Sequence, residues 1–280
     1  MATLIRRARP LLGTFVEIAH FPGNAEIFEA VFGRIAEVQR LMSAHTADSD
    51  LAAIAKGAHR GGVAVDPATA AVIGKALEWA EMSGGAFDPV RAGGELVAAG
   101  RRPWFGGERP VLGASWLDLE IDGNWVKSSG PLAIDLGGIA KGYAVDQAAE
   151  IIAGAGADGV VNAGGDMRFI GQAERRAFIR RPDVGGGLFE LGEIPRPALA
   201  TSASFIFAAE SENLDLVGAA GGAAVRPHVS VTVFAASCML ADAMTKVVLN
   251  LPAKRAAAVL QRLECHALVL ENGGGFHELP

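Results

Sequence analysis

From Leu11 to Ala19 the chain alternates, with Phe15, Glu17 and Ala19 on one face and Thr14, Val16 and Ile18 on the other. That period of two predicts a strand. Ile27, Val31, Ile35, Val38 and Met42 then recur at helical spacing and predict a helix over Ala25–Met42, with Asn24 as its N-cap. Asp66-Pro67 opens a second helix that runs through Leu77 and Trp79 until Gly84-Gly85 ends it. A third helix is expected over Gly138–Ala153, followed by a strand at Gly159–Asn162. Further on, short strands are expected at Arg176–Arg180, Leu188–Leu191 and Ala198–Thr201, and a β-branched one at Val229–Phe234. Helices at Leu240–Leu249 and Ala253–Leu263 precede a last strand, Ala267–Leu270. Strands and helices do not interleave regularly, so the pattern fits an α+β fold with mixed or antiparallel sheets and packed helices. The whole of 1–280 reads as one domain or as two intertwined lobes.

Composition narrows the chemistry. Half of the residues are hydrophobic, which suits a sizeable core and excludes intrinsic disorder. Formal net charge is −6 and aromatics make up 6% with a single tyrosine, Tyr143, so neither a basic field nor a stacking platform speaks for nucleic acid. Two cysteines, Cys238 and Cys265, are too few for a disulfide framework and read as buried free thiols. Arg6, Arg7 and Arg9 precede no apolar run, and no stretch of about 20 apolar residues occurs. As written the chain is expected in the cytoplasm, or in the periplasm if a signal was removed.

Several motifs fail on context. Gly154 to Gly159 spells G-x-G-x-x-G, but it leaves a helix and enters a strand, the reverse of a dinucleotide-binding turn. Gly137 to Gly142 lacks the residue order of a P-loop. The six histidines show no close ligand spacing. One segment does carry chemistry: Ala133 to Asp146. There a strand is expected to end at Asp135, and Gly137-Gly138 lets backbone approach a ligand. A helix then begins, with Lys141 in its first turn, which suits a diphosphate. Asn162-Ala163-Gly164-Gly165-Asp166 exposes a second glycine pair after a strand. Gly85 to Pro89 sets Phe87 and Asp88 in a turn, Thr201-Ser202 ends a strand with hydroxyls, and Ser230 to Val233 leads into Ala241 to Lys246.

Taken in order, these segments and Leu12-Gly13-Thr14 and Met42 to Ser49 resemble the ApbE family of FAD:protein FMN transferases, nearly end to end. The resemblance implies a flavin transferase that moves FMN from FAD onto a Ser or Thr hydroxyl of a partner protein and releases AMP, with magnesium at the diphosphate. It implies that Leu12, His45, Ala86, Phe87, Asp88, Asp135, Lys141 and Val217 line the FAD site. His45 stands where the family often has an aromatic. The metal would be held by the Gly138 carbonyl and Asp242. The alternatives are a FAD-binding relative without transfer, acting as carrier or regulator, and a FAD diphosphate hydrolase.

The sequence departs from the family pattern at three places. Where an Asp and a Thr four residues on would ligate the metal, the chain has Asp242 and Lys246, with Thr245 just before. Either Thr245 takes over as ligand or the Lys246 ammonium stands in the metal's place. Trading +2 for +1 roughly halves the attraction for a diphosphate at fixed distance, which favours a retained, weakened magnesium site. The histidine credited with positioning or deprotonating the acceptor has become Asp215, so Asp215 and Lys141 are the catalytic candidates. Its companion aspartate is Gly218, and a Thr-Ser-Gly has become Thr201-Ser202-Ala203.

Overall fold

Leu12 and Gly13 both take positive φ, 56° and 71°. That pair makes the primed turn whose twist matches two antiparallel strands. What alternates as one strand is therefore the second arm of a hairpin, β1 (Ile5–Leu11) and β2 (Thr14–Phe21), with Leu11 opposite Thr14. β1 is largely polar and exposed, so no apolar alternation announces it. In the computed structural model the described residues are 5–21, 25–182, 187–204, 229–271 and 274–280. After the hairpin come α1 (Ala25–Leu41), α2 (Asp50–Gly57), β3 (Val63–Ala64), α3 (Pro67–Ser83) and α4 (Pro89–Ala98). Next are β4 (Leu119–Asp122), β5 (Trp125–Ser128), α5 (Ala140–Gly154), β6 (Asp158–Ala163), β7 (Asp166–Ile170), β8 (Phe178–Arg180) and β9 (Leu188–Glu190). The chain ends with β10 (Ala198–Ser204), β11 (Val229–Ala235), α6 (Cys238–Asn250), α7 (Ala253–Arg262), β12 (His266–Glu271) and β13 (Phe276–Leu279).

Two compact units emerge: the described residues within 5–36, 141–204 and 229–280 form the first, and those of 37–140 belong to the second. The first unit is built on an eight-stranded sheet of order β1-β2-β6-β7-β10-β11-β12-β13. Every neighbouring pair in it is antiparallel, as the α+β reading expects. β11 is buried along its whole length, including Ser230 and Thr232, which alternate with Val229, Val231 and Val233. Phe234 of β11 and Leu199 of β10 join Phe169, Ile179, Leu268 and Leu270 in a core on one face. α6 packs on β10 and β11, and Ser202 of β10 reaches its Thr245.

α1 buries Phe28, Val31, Phe32, Ile35 and Val38, while Ile27 is only half-buried. Its stripe is thus centred one residue later than the periodicity of Ile27 suggests. Gly142 sets how α5 meets α6: a Cβ there would collide with the backbone of Cys238 and Met239. The carboxylate of Asp146, one turn further along α5, accepts from Cys238 N at 2.9 Å and Met239 N at 2.8 Å, capping α6. Both cysteines are free and buried.

The second unit pairs helices with a small antiparallel sheet, β3-β5-β4. α3 starts as its sequence predicts: Asp66 Oδ1 accepts from Ala68 N at 2.8 Å, with Pro67 in the first turn. Trp79 is buried, and the Gly84-Gly85 pair closes the helix through Gly85 N donating to Ala80 O at 2.8 Å. α4 carries Gly93-Gly94 in its middle and buries Val90, Gly93 and Leu96 on one face. The expected strand ending at Asp135 is corrected: Ala133–Asp135 is buried and extended but joins no sheet, and Asp135 N donates to Pro89 O at 2.9 Å. No helix among the described residues is long and apolar enough to cross a membrane.

Candidate functional site

In the first unit four elements deliver charged or hydroxyl side chains to one point. The first turn of α5 brings Lys141, and the Gly164-Gly165 turn between β6 and β7 brings Asp166. Asn162 shapes that turn by accepting from Gly165 N at 3.0 Å. α6 contributes Asp242, Thr245 and Lys246, which share one helix face by their spacing of three and four. β10 contributes Ser202.

Lys141 Nζ donates to Asp166 Oδ2 at 2.7 Å and, more loosely, to Asp242 Oδ2 at 3.4 Å. Gly142 N donates to the same Asp242 oxygen at 3.3 Å. The other oxygen, Asp242 Oδ1, accepts from Lys246 Nζ at 2.6 Å. Lys246 Nζ also donates to Ser202 Oγ at 2.9 Å. The remaining hydroxyl protons have one consistent direction. Thr245 Oγ1 donates back to Asp242 O at 2.7 Å, so in its 2.8 Å contact with Ser202 it accepts. Ammonium, serine and threonine form a single file of donors that ends on the helix carbonyl.

Burial raises the stakes of every charge here. Asp242 is wholly buried and Asp166 nearly so, whereas the Lys141 side chain keeps 31% of its exposure. Burial alone would lower the Lys141 pKa, but the carboxylates of Asp166 and Asp242 overcome it and hold the ammonium well above the usual lysine range. Burial, joined by the like charge of Asp242, pushes the Asp166 carboxyl up to about 6 against the pull of Lys141 and Lys246. Burial also opposes ionisation of Asp242, but Lys141 and Lys246 prevail and its carboxyl lies below the usual range. With two ammoniums and two carboxylates the cluster is formally neutral.

The residues expected to hold magnesium do not fit a divalent ion as they stand. Both Asp242 oxygens are already taken by N–H donors, and the Thr245 hydroxyl is turned back to its own helix. A +2 ion about 4 Å from an ammonium would be repelled by about 8 kcal/mol at an effective dielectric of about 20. Magnesium also asks for near-octahedral oxygen ligation. Among the described residues no group of three or more His, Cys, Asp or Glu is placed to hold a metal. Of the two alternatives open for Lys246, the geometry suits the ammonium in the ion's place.

The second unit holds most of the other expected FAD residues, and there the carboxylates face inward. Asp88 caps α4: its Oδ1 accepts from Val90 N at 3.0 Å and Arg91 N at 3.1 Å, and its Oδ2 from Trp116 N at 3.2 Å. Burial raises its pKa despite those donors. Asp135 Oδ1 accepts from Gly137 N at 2.8 Å, and Oδ2 pairs with Arg102 Nε at 2.9 Å. Ala86 and Phe87 are buried, with Phe87 N donating to Ser83 Oγ at 3.1 Å. His45 is exposed and Gly138 half-buried in the turn before α5. Leu12 sits in the β1–β2 turn of the first unit. Asp215 and Val217 lie outside the described residues.

Three residues of these arrangements carried no assigned role in the sequence reading. Asp166 and Ser202 stood inside noticed motifs, but only the fold sets them against Lys141 and Lys246. Arg102 had no signal at all, because its partner Asp135 is 33 residues away.

The sequence model of the ApbE family matches residues 12–269. The chain is 34% identical over 160 residues to a protein of Rhodobacter capsulatus named FAD:protein FMN transferase; the alignment covers 50% of this chain and 30% of that one. The chain thus spans about a third of the length of the curated relative it matches. Among solved structures it is similar to the flavin transferase ApbE from Vibrio cholerae (TM-score 0.77, 23% identity, 99% and 97% of the two chains). It is similar also to the apbe protein from Thermotoga maritima (0.75, 24%, 98% and 96%). A third is the Pseudomonas stutzeri flavinyl transferase ApbE (0.78, 18%, 99% and 95%). At these identities the likeness establishes the fold.

Proposed function

Because the chain belongs to the ApbE family, we propose that it is a flavin transferase that binds FAD and moves the FMN half onto a Ser or Thr hydroxyl of an acceptor protein. The acceptor oxygen bonds to the phosphorus of the FMN half, the bond from that phosphorus to the bridging oxygen breaks, and AMP leaves with that oxygen. The hydroxyl proton passes to a base, the role assigned to Asp215.

The observation that carries the reading is the Lys141–Asp166–Asp242–Lys246 cluster at the start of α5. Lys141 uses two of its three protons on carboxylates and is partly exposed, so one N–H is available to a phosphate oxygen. Asp166 and Asp242 hold the ammonium charged and in place. Magnesium would supply further charge neutralisation at a diphosphate, but this donor set does not fit it. The neutrality of the cluster also favours a second reading, a FAD-binding relative without transfer.

The test is to incubate the protein with FAD and a candidate acceptor and follow AMP together with protein-bound flavin fluorescence. Equimolar AMP and bound FMN is the expected result. Flavin binding without AMP selects the second reading, and AMP with free FMN selects hydrolysis. FAD is expected to bind more tightly than FMN, because the contacts assigned to His45 and Phe87 fall on the adenosine half.

A further inference from the structure

The Lys246 ammonium lies 2.6 Å from Asp242 Oδ1, 3.3 Å from the Asp242 carbonyl and 2.9 Å from Ser202 Oγ. Three oxygens thus surround one cationic centre beside a buried carboxylate, and that centre is a lysine four residues along α6. We infer that Lys246 is a tethered cation that replaces a divalent ion at Asp242, so that the site takes a dinucleotide diphosphate without divalent metal. The inference rests on the proposed function only for the identity of the diphosphate.

Three features make Lys246 a fixture rather than a passing contact. Its side chain is 18% exposed and its carboxylate partner fully buried, so leaving Asp242 would strand a charge in the interior. The Ser202 hydroxyl it donates to is itself committed, donating to Thr245, which donates to the helix carbonyl. Rotating Lys246 away breaks that file at its first member. On the opposite side, Lys141 and Gly142 N both donate to Asp242 Oδ2, so an incoming ion would have to share each oxygen with an N–H donor or displace one. A division of labour follows. Lys246 neutralises Asp242 and closes the ion's place, while the more exposed Lys141 is the ammonium that meets phosphate.

The test reads metal and flavin separately. Manganese, as a paramagnetic stand-in for magnesium, is titrated into the full chain and its free signal followed by electron paramagnetic resonance. No uptake at Asp242 is expected for the unmodified protein, and one ion for Lys246→Thr, which frees Asp242 Oδ1 and adds a hydroxyl. In calorimetry, FAD affinity of the unmodified protein should be the same in chelator and in magnesium. Lys246→Thr leaves one more uncompensated negative charge beside the diphosphate, so it should lose about tenfold in chelator and recover with magnesium. Manganese uptake by the unmodified protein that Asp242→Asn removes would overturn the inference, as would FAD binding that chelator abolishes. A folded Lys246→Thr that takes up no ion would overturn it as well. If the variant does not fold, the unmodified protein in chelator and in magnesium decides alone. Absence of FAD binding under every condition, with the manganese results as expected, would remove the flavin reading and leave the cation replacement standing.

Discussion

Each unit of this molecule buries aspartates beside glycine turns, and the two groups of aspartates do different work. In the second unit, Asp88 and Asp135 spend their oxygens on backbone N–H groups and on arginine: Asp88 caps α4, and Asp135 ties Gly137 to Arg102. In the first unit, Asp166 and Asp242 spend theirs chiefly on two lysine ammoniums, one of them still partly open. A carboxylate next to glycines is therefore no sign of a ligand contact by itself. What distinguishes the first unit is a positive group held in place by the carboxylates with a proton left over.

That contrast is broken most strongly at Asp135. Asp135→Ala leaves the Arg102 guanidinium, 12% exposed, without its carboxylate, and stability should fall by about 3–5 kcal/mol. A denaturant melt measures it. Flavin affinity lost with stability intact would instead make Asp135 a ligand group. Next in size is Lys141→Met, expected to weaken FAD by about 1.5–3 kcal/mol, read by calorimetry. Its melting temperature should move less than that of Asp135→Ala, because Asp166, already pushed up to about 6, can take a proton when its partner is gone.

Asp88→Ala removes an N-cap and should cost about 1 kcal/mol of stability, with FAD affinity unchanged. A specific loss of flavin binding at unchanged stability would move Asp88 from scaffold to site. The smallest effect is on pH. As pH falls from 8 to 5, Asp166 gains a proton near 6 and the neutral cluster becomes positive, so FAD should tighten severalfold. Asp166→Asn should flatten that profile. The same raised pKa means that the stability Asp166 contributes is complete below about pH 4 and lost as pH rises through about 6. Asp242 has the opposite slope, its contribution present above the ordinary carboxylate range and lost in acid.

Legibility in the sequence followed the range of the interactions. The cap and terminator of α3, the strand β11 and the start of α5 near Lys141 were readable because Asp66-Pro67, a β-branched-rich segment and a glycine pair act within a few residues. β1 was missed because Arg6, Arg7 and Arg9 hide an edge strand whose existence depends on pairing with β2. α4 was missed because Gly93-Gly94 reads as a turn, and burial of Val90 and Leu96 outweighs that local preference. In the site, Lys141, Asp242, Thr245 and Lys246 were named from the sequence, whereas the nitrogens from which the two Asp242 oxygens accept were not legible there, because Lys141 and Gly142 lie about 100 residues away.

By itself the sequence determined the α+β class, the ApbE family and the i, i+4 relation of Asp242 and Lys246, since composition, motif order and helical spacing are properties of neighbours along the chain. Only the tertiary structure decided which group each buried carboxylate is bonded to. That depends on Arg102 reaching Asp135 and on Lys141, from another helix, meeting Asp166 and Asp242 across 25 and 101 residues. Hydrogen-bond partners are assigned by distance in space, and burial makes each of those assignments exclusive.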